Sequence, residues 1–367
     1  MTATATPPER EVGPVPAAPA APTGRAALPA IADTVLRWAA ALAAAVAVFG
    51  AVLLVTGADP VSVFTNAWSN TVLNGDAVQQ ILIKAGPFAL TALAVVVPSR
   101  AGLVNVGGEG QLIAGGIAAA GVSLALGSTS PGGLTMILMI VAGIAAGAAW
   151  AGVAALLRLT VKVNEAVSTL LLNYVALDLM LFLIYQPWKD PHGTGQPATP
   201  PVPDAAKLPV FTGSAVHVGL LLVALAVVAV WAVFRWTAWG YRLAAVGGNP
   251  EAARRAGLPV TRLLLTAMIV GGALAGLGGA IHLAGVEYQL RPSFGSQLGY
   301  IGFLASWLAR HRPGPVLLSA VVLAGLAVAG DSLQIDSALP AATVNILTGL
   351  ILIAVLGWTG SRKKARA

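Results

Sequence analysis

Long apolar runs separated by short charged turns organise this chain. Runs wide enough to cross a bilayer, about 20 residues, occur near 34–56, 134–157, 165–186, 215–234, 263–284 and 341–358. Two more, near 81–98 and 103–127, carry polar interruptions. The stretch 299–330 is long enough for two short spans on either side of the cationic turn Arg310-His311-Arg312-Pro313-Gly314. The pattern predicts an all-α, polytopic integral membrane protein of about ten transmembrane helices.

Charge supplies an independent test of this count. With the N-terminus placed in the cytosol and the spans alternating, every Lys and Arg except Lys84, Lys189, Lys207 and Arg291 falls on the cytosolic side. The outer loops collect the acids Asp59, Asp76, Asp190, Asp204, Glu287, Asp331 and Asp336. The positive-inside rule thus predicts both termini in the cytoplasm. Residues 1–33 are Ala/Pro-rich without an apolar core and read as a disordered tail, and 361–367 as a basic cytosolic tail. The membrane-spanning body is 34–360. The external loop Pro187–Thr212 is Pro-rich and would be ordered only through its neighbours.

Composition narrows the classes further. Hydrophobic residues make up 57% and charged residues 10%, against about 25% charge in soluble domains. The net charge of +7 reflects membrane topology and not a nucleic-acid surface. There is no cysteine, which excludes disulfides and thiol catalysis. His192, His217, His282 and His311 are scattered, so no metal site is expected. Gly143/Gly147 and Gly272/Gly276 have the spacing that lets membrane helices approach closely.

A basic island, residues 235–262, interrupts the apolar pattern with Arg235, Arg242, Arg254, Arg255 and Arg262. Within it, Gly248 to Gly257 has the chemistry of a miniature helix. Asn249 suits the N-cap, Pro250 the first helical position, and Gly257 the stop. Glu251 would sit at the positive end of the dipole, with Arg254 and Arg255 at the negative end. A self-capped helix in a membrane loop can dock onto another protein and be pushed by it. It can equally be a well-formed loop.

Two stretches place polar groups inside the apolar zone. In Arg100 to Gln111, Asn105, Glu109 and Gln111 lie among glycines. An ionisable group in hydrocarbon faces a cavity or a partner, and glycines permit a broken helix whose backbone lines a polar path. A substrate pathway and a packing cluster both fit. In Lys162 to Asp178, Asn164 can cap a helix with Glu165 in its first turn. Asn164, Ser168 and Asn173 then share one broad face. Asn173 could donate to a ligand or to a neighbouring helix. Asp178 is a second intramembrane acid without an assigned role. The pattern G-x-x-x-x-G-K-[ST] is absent, so energy from ATP would come from another polypeptide. No catalytic constellation or cofactor motif is found, and no enzymatic activity is expected.

Three stretches together resemble a known family: NVGGEGQLIAGGIAAA (Asn105 to Ala120), VNEAVSTLLLNYVA (Val163 to Ala176) and GYRLAAVGGNPEAARRAGL (Gly240 to Leu258). They look like permease subunits of bacterial ABC importers, in the branch serving branched-chain amino acids, simple sugars and nucleosides. Gly271 to Arg310 extends the likeness, which covers residues 34 to 360. NVGGEGQ and NEAVSTLLLNY are most similar to the nucleoside permeases.

The resemblance implies a multi-pass protein of the bacterial plasma membrane. It also implies three partners: a second homologous permease, a cytosolic ABC ATPase and an external solute-binding lipoprotein. The substrate pathway is then expected at Asn105, Glu109, Gln111 and Asn173. Coupling to the ATPase is expected at Gly248, Asn249, Pro250, Glu251, Arg254, Arg255 and Gly257. The same architecture serving ribose-like sugars or branched-chain amino acids is the nearest alternative, followed by a stand-alone secondary transporter.

Overall fold

The structure, a computed structural model, describes residues 46–336 apart from 56, 73, 128 and 194, together with 43, 346, 349 and 350. The tails expected at 1–33 and 361–367 lie outside the described residues. So do most of the span expected at 341–358 and the beginning of that at 34–56. A helical segment Val46–Val55 leads into α1 (Pro60–Val72), α2 (Gly75–Arg100), α3 (Gly108–Leu126), α4 (Gly132–Thr160) and α5 (Glu165–Tyr185). There follow α6 (Gly219–Trp236), α7 (Ala238–Gly248), α8 (Pro250–Arg255) and α9 (Val260–His282), which continues into a π-turn, Leu283–Glu287. The last are α10 (Leu298–Leu308) and α11 (Pro313–Asp336). Among the described residues β-pairing is limited to one isolated bridge, Val210 with His217.

Seven helices among the described residues are long and apolar enough to cross a bilayer: α2 to α6, α9 with its π-turn, and α11. Val46–Val55 and Pro60–Asn66, bent at 118°, make an eighth if they form one broken span. The expectation of two spans within 299–330 requires correction. α10 has 11 residues, about 16 Å of helix against a hydrocarbon layer of about 30 Å. It is cut short at its start by Gly295 and Gln297, both at positive φ, and at its end by Arg310 and His311, also at positive φ. The span expected from 103 starts instead at Gly108, because residues 103–106 form no helix.

α2 is the mast of the bundle. It is buried without interruption from Ala85 to Pro98, as expected of a helix that is apolar on all sides. Beside it, α3, α4 and α9 meet along a glycine seam. A Cβ on Gly276 would lie 2.1 Å from the Gly143 carbonyl oxygen, and one on Gly272 2.2 Å from that of Gly147. A Cβ on Gly279 would lie 2.0 Å from the Leu112 oxygen. In lipid the apolar surroundings give helices no hydrophobic reason to associate, so close backbone packing carries the association.

The helix ends sort by charge. Gly247 at the end of α7 presses on the Arg100 carbonyl, Arg100 lies over the Phe234 ring, and Arg158 pairs with Glu165. These contacts gather the basic termini of α2, α4 and α6 and the basic island at one end. At the other end the 187–218 loop is laid across the π-turn. The Thr199, Val202 and Leu208 amides donate to the carbonyls of Leu290, Tyr288 and Ala284 at 3.1, 2.7 and 2.9 Å. Ala198, Val202, Ala206 and Leu208 are buried, so the Pro-rich loop is ordered by its neighbours.

Substituting Gly276 with Val puts a branched side chain into the Gly143 backbone. The variant is expected to lose its monodisperse peak in detergent size-exclusion chromatography. Gly133→Ala, where an added Cβ meets nothing within 4 Å, is expected to leave the peak unchanged.

Candidate functional site

The extended segment that joins α2 to α3 lies inside the bundle. Gly108, where α3 begins, packs against Thr91 near the middle of α2, so the chain turns at Arg100 and runs back along α2 without forming a helix. Backbone groups there have no water to bond and must find partners within the protein. α5 supplies them. The Val104 amide donates to Glu165 Oε1 at 3.2 Å and the Val106 amide to Thr169 Oγ1 at 3.2 Å. Asn173 Nδ2 donates to the Val106 carbonyl at 3.0 Å, and its Oδ1 accepts from the Gly110 amide at 2.8 Å. Glu165 is itself held by Arg158.

The fit is a matter of pitch. Glu165, Thr169 and Asn173 are four residues apart, about 6.0 Å of rise on a helix. Two residues of extended chain advance about 6.6 Å. One polar face of a helix can therefore serve alternate residues of an extended strand. Gly110 makes the approach possible, since a Cβ there would lie 2.9 Å from the Asn173 Cα.

Asn105 and Gln111 form a reciprocal amide pair. Asn105 Nδ2 donates to Gln111 Oε1 at 3.0 Å, and Gln111 Nε2 to Asn105 Oδ1 at 2.9 Å. Asn105 also donates to the Ala94 carbonyl and accepts from the Gly107 amide, at 2.9 and 3.0 Å. Both side chains are buried. Glu109 is different. Its carboxylate faces the backbone amides of Gln297, Gly299 and Tyr300 at the start of α10, and its Oε2 has no hydrogen-bond partner. The N-terminal ends of α3 and α10 thus meet at one carboxyl side chain.

Against the same start of α10 lies a cavity of about 730 Å³. α2 contributes Gln80, Lys84 and Phe88; His282 and Glu287 come from the end of α9 and the π-turn; Ser293, Ser296, Gln297 and Tyr300 complete the wall with Asp331 of α11. Lys84 and Asp331 pair across it. Of the four residues expected along a solute path, Glu109 adjoins the segment that floors this cavity, and Asn173 reaches Tyr300 of its wall at 3.3 Å. Asn105 and Gln111 face each other inside the frame. Sequence reasoning passed over Glu165 and Thr169 as partners of the extended chain, although their spacing with Asn173 was visible. The meeting of Lys84, Glu287 and Asp331 left no local signal, because they lie on elements far apart in the chain.

The basic island folds as its residues suggest. Asn249 Oδ1 accepts from the Glu251 and Ala252 amides at 3.1 and 3.0 Å, and Pro250 opens α8. Glu251 pairs with Arg254 and Arg255 at 3.0 and 3.2 Å. Gly257, at φ +81°, closes a Schellman motif in which the Leu258 amide donates to Ala253 and the Gly257 amide to Arg254, both at 3.0 Å. Only Ala253 of α8 is buried.

Residues 77–356 match the family described as "Branched-chain amino acid transport system / permease component". The chain belongs to this family. It is a multi-pass permease of the cell membrane. It is 35% identical to the glucose ABC transporter permease of Haloferax volcanii over 84% of both chains. It is 29% identical to the guanosine ABC transporter permease NupP of Bacillus subtilis, over 83% of this chain and 88% of the relative. With the nucleoside ABC transporter permease NupB of Lactococcus lactis the identity is 26%, over 82% and 85%. No solved structure gives a significant match.

The amide pair of this permease makes a quantitative prediction. Asn105→Leu and Gln111→Leu each strand a buried amide and should each cost about 1–3 kcal/mol. The double variant should cost less than the two together, read as melting temperatures in detergent. Asn173→Leu, which strands both Val106 and Gly110, should lower the melting temperature further than Thr169→Val.

Proposed function

We propose that the chain is the membrane-spanning permease subunit of an ATP-driven importer for nucleosides. A separate ABC ATPase would bind at α8, a second homologous permease would complete the membrane domain, and an external solute-binding lipoprotein would deliver the solute. The observation that carries the reading is the family match together with a polar break in the bundle, next to which Glu109 meets the start of α10 that lines a cavity. Hydroxyl and amide groups of Ser293, Ser296, Gln297 and Tyr300 in its wall suit a neutral, hydroxylated solute.

Glu109, with Asn173 behind the cavity wall and Asn105 and Gln111 fixing the extended chain, makes up the proposed pathway. A simple sugar is the second reading, favoured by the 35% identity to a glucose permease. The family's own description keeps branched-chain amino acids as a third.

The coupling assignment rests on the shape of α8. Six residues are far too few for a stable isolated helix. Here both ends are capped and the whole is pinned through Ala253, while Glu251, Arg254 and Arg255 stay exposed. Such a helix keeps its form while presenting polar side chains to a partner. Gly248 and Asn249 join it to α7, so a push on α8 is delivered to the bundle.

Two measurements test this. Purification of the tagged protein in mild detergent should bring down an ATPase and a second permease, identified by mass spectrometry. A solitary, folded chain would refute the importer. Arg254→Glu with Arg255→Glu should abolish uptake of radiolabelled guanosine and glucose alike while leaving membrane insertion intact. Unchanged uptake would remove α8 from the coupling role.

A further inference from the structure

Asp178 lies on the outer face of α5, away from everything described above. It is exposed and makes no hydrogen bond or ion pair with any described residue. Its position along the helix makes this unusual. It is seven residues from the end of α5 at Tyr185 and thirteen from its start at Glu165, about 10 and 20 Å. A carboxylate at that depth does not face hydrocarbon; it faces a water-filled cavity or a protein partner.

The buried side of α5, with Glu165, Thr169, Asn173, Ala176, Met180 and Ile184, is fully used by α3, α4 and the extended segment. The opposite side is free. It carries Val167, Leu171, Tyr174, Asp178, Phe182 and Tyr185 at helical spacings, and the three aromatics are each more than half exposed. The outward face of α6 presents Leu221, Leu225 and Val228, with Trp231 and Trp236 toward its end, and no carboxylate; Asp178 is what sets the α5 face apart.

Aromatic rings flanking a carboxylate are a combination with a use. A ring packs against the apolar face of a sugar or a base. A carboxylate is an acceptor-only group with about four lone-pair sites, matched to the adjacent hydroxyls of a sugar. We infer that this α5 stripe lines the solute path, closed on its far side by the second permease, and that Asp178 accepts hydrogen bonds from the solute's hydroxyls between Tyr174 and Phe182. This rests on the importer reading and locates the solute contact within it. The stripe then adds a second stretch of the solute's route, on the side of α5 away from the cavity and Glu109, while Asn105, Gln111 and Asn173 hold α5 from behind.

The absence of cysteine makes the test direct. Tyr174→Cys, Asp178→Cys, Phe182→Cys and the lipid-face control Leu225→Cys are each made in the full chain. Each is assembled with its partner subunits and exposed to a charged, membrane-impermeant methanethiosulfonate. Thiolate chemistry needs water, so the three stripe positions should react about tenfold or more faster than Leu225→Cys. Saturating guanosine or glucose should slow that reaction.

Reaction that neither solute slows, in a complex that transports one of them, overturns the solute contact. No reaction at any stripe position in a transporting complex overturns the path and leaves Asp178 as a partner of a cation on the second permease. Asp178→Asn, which keeps size and an acceptor oxygen, should retain part of the uptake that Asp178→Leu loses. Equal uptake by both also overturns the assignment. If the unmodified complex transports neither solute, the nucleoside and sugar readings fail. Water access at the stripe then still decides, separately, whether a path runs along α5.

Discussion

The structure depends on the match between one face of α5 and one extended segment. Within residues 103–106 the Val104 and Val106 amides donate to Glu165 and Thr169, and the Val106 carbonyl accepts from Asn173. If those bonds were missing, the segment would have to become helical or leave the bundle, since unsatisfied backbone in hydrocarbon is too costly to persist. Starting α3 at Gly108 rather than at 103 brings its N-terminus to the level of Thr91. The short α10 starts at the same level, where Thr91 Oγ1 lies 3.1 Å from the Leu298 carbonyl. α3 and the short α10 thus both begin near the middle of α2, and Glu109 lies beside both starts.

The glycines of the chain serve two separate purposes, and the distinction explains why so many are present. In α3, α4 and α9 they remove side chains where backbones touch, as at Gly143 and Gly276. In the polar segment they remove side chains where α5 and α10 press against the extended chain. A Cβ on Gly299 would lie 2.1 Å from the Glu109 amide nitrogen. The expectation was that glycines around Glu109 permit a broken helix, and residues 103–106 form none. The break belongs to residues 103–106, which α5 captures, and the glycines let the captured segment fit.

Much of this was legible along the chain. Apolar run length gave α4, α5, α6 and α9 to within a few residues, because a bilayer imposes one length on every span. Local cap chemistry gave α8 residue by residue, since Asn249, Pro250 and Gly257 act on their own neighbours. Length failed at α10, where a run of apolar residues packs inside the protein and need not cross anything. Side-chain partners were less accessible still. Asn173 was read correctly as an intramembrane donor, but whether it would meet a ligand or the Val106 carbonyl depends on a contact between residues 67 positions apart. The cavity joins α2, the π-turn, the 293–300 segment and α11, and no local pattern announces such a meeting.

The same frame links the basic island to the membrane interior. α7 ends against the turn that begins the extended segment: a Cβ on Gly247 would lie 2.4 Å from the Arg100 carbonyl oxygen, and Gly102 follows at φ +80°. Trp239 of α7 donates to Thr266 of α9 at 3.2 Å, so α7 is tied both to α9 and to the root of the segment. α8 follows α7 directly through Asn249, and packed interiors shift as units more readily than they deform. The element next in line is the only extended backbone described inside the bundle. Its bonds run to side chains of α5, to the Pro98 and Ala94 carbonyls of α2 and to Gln111 of α3, and not along a helical ladder of its own. A helix in that position would resist displacement with its full ladder of internal hydrogen bonds. The irregular segment has no such ladder and is held by separate side-chain bonds, from Glu165, Thr169 and Asn173 on one side and from Asn105 to Ala94 and Gln111 on the other.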